Sequence, residues 1–230
     1  ILKDYNADPD VEFAEPNYIY RMALIPSDTY LANQWYLKKI KAIEAWDKIR
    51  EAQNITIAVI DTGVYINHPD LKDNIWTNSQ EIANGLDDDN NGYKDDIHGW
   101  DFVNNNANPA PKFKKNFTQD GINHGTVIAG IIAASGNNAA GISGIVWNAK
   151  IMPVKVLNDS GEGTTDNIVK GIDYAIDNGA DIINLSFVGG GYSHSLELAI
   201  RRAYDAGILT VAAAGNDQGN GSGNFLDTSP

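Results

Sequence analysis

The sequence predicts a three-layer α/β/α domain built on a mainly parallel sheet. Four short runs, Ile55 to Ile60, Ile151 to Val156, Ile182 to Ser186 and Leu209 to Ala213, are apolar almost throughout instead of alternating. That is the pattern of strands buried on both faces. Helical segments separate all four of these runs, and such alternation calls for parallel pairing with right-handed crossovers. A length of 230 residues is ample for one large core of this kind.

Taken in order, residues 1 to 26 contain one strand-like run, Val11 to Tyr20, and are too short to fold alone. The main domain is expected to start near Ser27 and to run to residue 230, with a helix from about Ala42 to Ile49. The strand from Ile55 to Ile60 is closed by Asp61, Thr62 and Gly63, a change from apolar to turn-forming residues. Residues 77 to 123, rich in Asn, Asp, Gly and Pro, read as long functional loops. An apolar helix from His124 to Ala134, the strand from Ile151 and an amphipathic helix from Thr165 to Asn178 come next. The strand from Ile182, a helix from Ser195 to Ala206 and the strand from Leu209 complete the pattern. Ligands of such sheets sit at the carboxyl ends of strands, which places Asp61, Ser186 and Gly215 at the site.

Composition narrows the function. With 17 basic and 30 acidic residues the formal net charge is −13, and the acid is concentrated in Asp-rich loops. This disfavours nucleic acid and anionic membranes and suits cations such as calcium. The chain has no cysteine, which removes disulfides, thiolate metal sites and a cysteine nucleophile. No run approaches the roughly 18 apolar residues of a membrane span. The first residue is Ile1, both ends are expected to be cut points in a longer protein, and the lack of a signal segment carries no compartment information.

Three segments carry chemistry. Asp61 ends a buried strand, where its carboxylate either caps the following loop or serves a site. A magnesium-dependent phosphatase would need a second acid two positions on, but Gly63 is there. His124 opens Asn-His-Gly-Thr-Val-Ile-Ala-Gly, where a helix start favours the neutral imidazole of a general base or simply a satisfied structural histidine. Residues 210 to 217, Thr-Val-Ala-Ala-Ala-Gly-Asn-Asp, end a strand on small residues and offer the amide of Asn216, either to an oxyanion or as a turn residue.

In this order the three segments resemble the aspartate, histidine and oxyanion-hole blocks of the subtilase family of serine endopeptidases. The resemblance implies that Asp61 orients His124, that His124 moves the proton of a serine, and that Asn216 holds the tetrahedral oxyanion. It implies one substrate-binding edge at Gly161, Glu162 and Gly163, an opposite edge at Ser186 and Phe187, and a specificity pocket lined by Ala213, Ala214 and Gly215. The peptide would lie between the edges as an added strand. The chain departs from the family where Phe187-Val188 precedes Gly189-Gly190-Gly191, since a glycine usually follows the Ser186 position sooner. It also lacks the family's Gly-Thr-Ser-Met-Ala-like segment. Ser222 and Ser229 lie too close to Asn216, and Ser143 and Ser186 fit packing or edge positions better. The 230 residues alone are therefore expected to be inactive, and a non-catalytic peptide-binding module is the alternative.

Calcium is the expected cofactor. Asp87, Asp89 and Asn91, followed by Gly92, alternate oxygen ligands before a sharp turn, although the twelfth position is His98. Asp95 or Asp96 could supply the missing oxygen, and a solvated acidic turn is the competing reading. The family resemblance implies a second, tighter site at Asp28, Asp70 and Asn138, with backbone carbonyls from the loop containing Ser135, Ala140 and Ile142. Asp101, Asn106 and Asn108 resemble a third site of the family. Residues 1 to 26 resemble the end of a propeptide, with Pro26-Ser27-Asp28 as the start of the mature domain; a domain-edge strand is the alternative. The resemblance further implies polypeptide substrates, binding of the protein's own propeptide, a monomer, and a secreted or cell-surface location.

Overall fold

The computed structural model describes residues 1–19, 25–112 and 119–215. Its helices are α1 (Leu2–Tyr5), α2 (Trp35–Lys39), α3 (Ala42–Trp46), α4 (Gln119–Ala133), α5 (Thr165–Asp177) and α6 (His194–Asp205). Its strands are β1 (Thr56–Asp61), β2 (Trp100–Asp101), β3 (Lys150–Lys155), β4 (Ile182–Leu185) and β5 (Leu209–Ala212). All pair in parallel in the order β2-β3-β1-β4-β5.

The apolar runs are continuous because both faces of the sheet are covered. Successive β1 residues point to opposite faces. Ala58 and Ile60 pack with Ile172 and Ala175 of α5 and with Ala199 and Ala203 of α6. Ile57 and Val59 pack with Ala129 and Ala133 of α4. The result is the three-layer α/β/α arrangement, with β1 central and its carboxyl end at Asp61. Gly171 permits the close approach of α5, since a Cβ there would press on Val156 and Val154. Thr164 caps α5 by accepting from the Asn167 amide, and Ser193 caps α6 through the Leu196 amide. Among the described residues β5 is the least covered strand, with Leu209 61% and Val211 47% exposed.

Three expectations change. The run from Val11 forms no strand over residues 11–19, and Tyr20 lies outside the described residues. Its chain is held instead by Asn6, whose side chain bonds both the amide and the carbonyl of Ala14; an isolated run has no ladder in which to pair its backbone. Helix α3 stops at Trp46, short of Ile49, and the Lys48 amide makes a tighter i→i−3 bond to the Ala45 carbonyl beyond it. Helix α4 begins at Gln119, five residues before His124. His124 therefore stands in the second turn, beyond the first turn in which a helix dipole acts strongly.

Candidate active site

The site begins where β1 ends. Asp61 has a fully buried carboxylate, and its Oδ1 accepts the Thr62 amide at 2.7 Å. His124 Nδ1 lies 2.8 Å from Oδ1 and 2.9 Å from Oδ2. The carboxylate accepts the imidazole N–H, so the proton resides on Nδ1 and the lone pair of the neutral ring is on Nε2. The imidazole is 41% exposed. It joins a buried charge to the solvent side of the site.

Two glycines bring helix and strand together. A Cβ on Gly125 would collide with the Gly63 carbonyl and lie 3.1 Å from the Asp61 Cβ. The Gly125 amide also donates to Thr62 Oγ1 at 3.1 Å. Gly63 has φ +99°, and a Cβ there would overlap the Pro109 carbonyl. Thus α4 delivers His124 to Asp61 only because neither Gly63 nor Gly125 carries a side chain.

His124 borders a cleft of about 270 Å³ whose other walls are Thr62, Leu157, Gly161, Ser186, Phe187 and Val188. Gly161 belongs to a hairpin in which Leu157 pairs antiparallel with Gly163. Asn158 closes its turn, donating its amide to the Glu162 carbonyl at 2.7 Å and accepting the Ser160 and Glu162 amides on Oδ1. Glu162 is exposed on this rim. Across the cleft, Ser186 Oγ accepts from Asn184 at 2.8 Å. Ala213 continues the β4–β5 pairing through its amide to the Leu185 carbonyl, and Ala214 and Gly215 follow it exposed, Gly215 at φ +96°. Asn216, Ser222 and Ser229 lie outside the described residues. Ser143 is fully buried.

The sequence profile described as "Subtilase family" matches residues 52–228. The chain belongs to the subtilase family. It is 39% identical over 218 residues to the thermophilic serine proteinase of Bacillus sp. (strain AK1), covering 94% of this chain and 47% of that protein. It is 39% identical to thermitase of Thermoactinomyces vulgaris over 87% of this chain and 61% of the relative. An extracellular protease of Xanthomonas campestris pv. campestris is 34% identical over 98% of this chain and 40% of its own length. The subtilase chain thus spans between 40 and 61% of the lengths of these relatives.

Away from the cleft, this subtilase gathers Glu81, Asp89 and Asp96, whose carboxylate oxygens lie within 4.8 Å of one another. Glu81 and Asp96 are buried. Burial, the largest influence, raises the Asp96 pKa despite hydrogen bonds from Tyr174, Asn91 and Asn78. Three acids so close, two of them buried and Asp89 half-buried, suit a hard cation with oxygen ligands. Asp89 and Asn91 belong to the alternating loop expected from sequence, whereas Asp87 turns to the amides of Asn91 and Gly92. Glu81 carries no sequence signal, since it precedes the loop and folds back onto the amides of Asp88, Asp89 and Asp95.

The second expected set is also gathered in space. Asp28 accepts the amides of Asn137 and Asn138, and Asp70 accepts Asn138 Nδ2 at 2.7 Å and the Ile142 amide at 2.9 Å. Ser135 donates its amide to the Asp70 carbonyl, and Ala140 donates to Asn138 Oδ1. In the third set, Asp101 accepts the amides of Val103 and Asn104 and pairs its backbone with Asn106. Asn106 and Asn108 each accept an amide two residues on.

Proposed function

We propose that the whole protein is a calcium-stabilised serine endopeptidase, exported from the cell, in which Asp61 and His124 form two members of an Asp-His-Ser triad. The observation that supports this most is the buried Asp61 carboxylate on His124 Nδ1 at the edge of a cleft. No Gly-Thr-Ser segment occurs among the 230 residues. In this reading the rest of the protein carries the serine, and residues 1–230 alone do not hydrolyse peptides.

Catalysis then follows from the ring's orientation. As the serine oxygen attacks the scissile carbonyl, His124 Nε2 takes its proton, and Asp61 stabilises the imidazolium that forms. His124 returns the proton to the leaving amine, leaving an acyl-enzyme. Water then attacks the acyl group with His124 again as base, which restores the serine. Asn216 would donate its amide to the oxyanion in both steps. The peptide would lie extended between Gly161–Gly163 and Ser186–Phe187, with Ala213, Ala214 and Gly215 along the pocket for the side chain before the cut.

Calcium would bind at Glu81, Asp89 and Asp96, with Asn91 beside them and Asp87 shaping the loop, and at Asp28, Asp70 and Asn138 with carbonyls of Ser135, Ala140 and Ile142. Residues 1–26 would be the end of the protein's own propeptide, with residues 27–230 belonging to a monomeric peptidase domain. Export is supported by the likeness to an extracellular protease.

The test is hydrolysis of an unstructured protein by the full-length enzyme in calcium, beside His124→Ala. Cleavage that the substitution abolishes supports the reading. Tight peptide binding with no cleavage by either protein would replace it with a peptide-binding module.

A further inference from the structure

Lys155 is the one buried cation among the described residues, 1% exposed at the end of β3. It stands in register with Asp61 on the neighbouring strand. An ammonium in such a place is costly unless all its donors are used. Here all three are used: Nζ donates to the Thr62 carbonyl at 2.6 Å, to the Leu157 carbonyl at 3.0 Å and to Asp159 Oδ1 at 2.9 Å.

These acceptors belong to two different walls of the cleft. Thr62 follows Asp61 directly, receives the Gly125 amide on its hydroxyl, and so connects the aspartate to the helix carrying His124. Leu157 and Asp159 belong to the hairpin that presents Gly161 and Gly163, and Leu157 and Thr62 both line the cleft beside His124. Asp159 Oδ1 also accepts the Lys112 amide at 3.3 Å, which adds the loop after Asp101 to the same knot. Removing the ammonium alone would strand the Asp159 carboxylate and two carbonyls, which is costly whatever fills the space. What an apolar side chain could not supply is a fixed distance between the two carbonyls.

We propose that Lys155 is a positioning residue: one buried ammonium sets the Asp61–His124 pair in register with the substrate-binding hairpin. The proposal rests on the reading of this cleft as a peptidase site. Two effects follow from its loss. The imidazole shifts relative to the scissile bond, and the hairpin moves relative to the imidazole.

The test compares wild type, Lys155→Met, Lys155→Arg and Asp159→Asn in the full-length protein in calcium. Active sites are counted by covalent fluorophosphonate labelling, so that kcat refers to folded, competent sites only. Two substrates are used, a peptide long enough to pair with Gly161–Gly163 and a short ester that does not reach them. Misplacement by about 1 Å costs on the order of a hundredfold, so Lys155→Met is expected to lower kcat per labelled site by about tenfold to a hundredfold on both substrates. It should also raise KM for the long peptide. Lys155→Arg, which keeps charge and donors, should recover most of kcat. Asp159→Asn should raise KM for the long peptide more than it changes kcat.

A purely structural lysine would reduce the number of labelled sites and leave kcat and KM per site unchanged, and that result overturns the proposal. If Lys155→Met does not fold, Asp159→Asn decides, and an unaltered KM for the long peptide counts against Lys155. If wild type itself takes no label, the peptidase reading falls instead. The proposal is then judged on the Nδ1 proton resonance of His124 in the ¹⁵N-histidine-labelled protein. Displacement of that resonance in Lys155→Met, or in Asp159→Asn should the former not fold, sustains it, and an unmoved resonance overturns it.

Discussion

His124 and Asp61, 63 residues apart in sequence, meet with both carboxylate oxygens within 2.9 Å of one ring nitrogen. The carboxylate is wholly buried and the ring is 41% exposed. The pair is fixed from the protein side and open toward the cleft. A base that must accept a proton from outside requires that asymmetry.

Asp61→Asn keeps the shape of the site but presents an amide N–H or a neutral oxygen to Nδ1, favouring the wrong tautomer. In the full-length enzyme kcat should fall about 10⁴-fold with little change in KM. Steady-state kinetics on a peptide substrate check this, and a loss below about tenfold would remove Asp61 from the catalytic role.

Gly125→Ala places a methyl group against the Gly63 carbonyl and the Asp61 Cβ. Backbone cannot yield as a flexible side chain does, so the substitution should destabilise by about 1–3 kcal/mol or more. Denaturant midpoints measure it. Activity should fall more steeply than stability, because the displaced helix carries His124.

Calcium should raise the melting temperature, with about 2.7 kcal/mol of stabilisation at a hundredfold excess over Kd. Glu81→Gln should remove much of that gain, because Glu81 is one of the three gathered carboxylates, and Asp87→Asn less, because Asp87 is not among them. The gain should also grow with pH. Burial raises the Asp96 pKa above the ordinary 3.8, so the calcium-free fold holds this proton more tightly than the unfolded chain does. Without calcium, Asp96 therefore costs stability as pH rises past that value, whereas a bound cation favours the charged form. Thermal melts with calcium or chelator at several pH values check the sign.

The layers were legible in the sequence because parallel strands buried on both faces announce themselves as unbroken apolar runs. Each of the four runs is a strand, with ends displaced by one residue or so. The Val11 run misled because strand-like composition forms no strand without a partner. The helix start misled because Gly121 and Asn123 read as loop, although α4 contains both. That Asp61 and His124 belong together was legible only through the order of segments shared with the family, since each alone admits a structural reading; the structure brings the two side chains into contact. Glu81 and Lys155 were not legible. Glu81 reaches its cluster through a loop that folds back, and the role of Lys155 depends on carbonyls, which every residue has and no sequence distinguishes.

The most direct test of the Asp61–His124 pair as the base of a serine peptidase is fluorophosphonate labelling of the folded, full-length protein in calcium. Stoichiometric labelling of one serine in wild type, slowed at least about a thousandfold by His124→Ala, is the predicted result. No labelling of the folded wild type, or labelling at the same rate in both proteins, would contradict it.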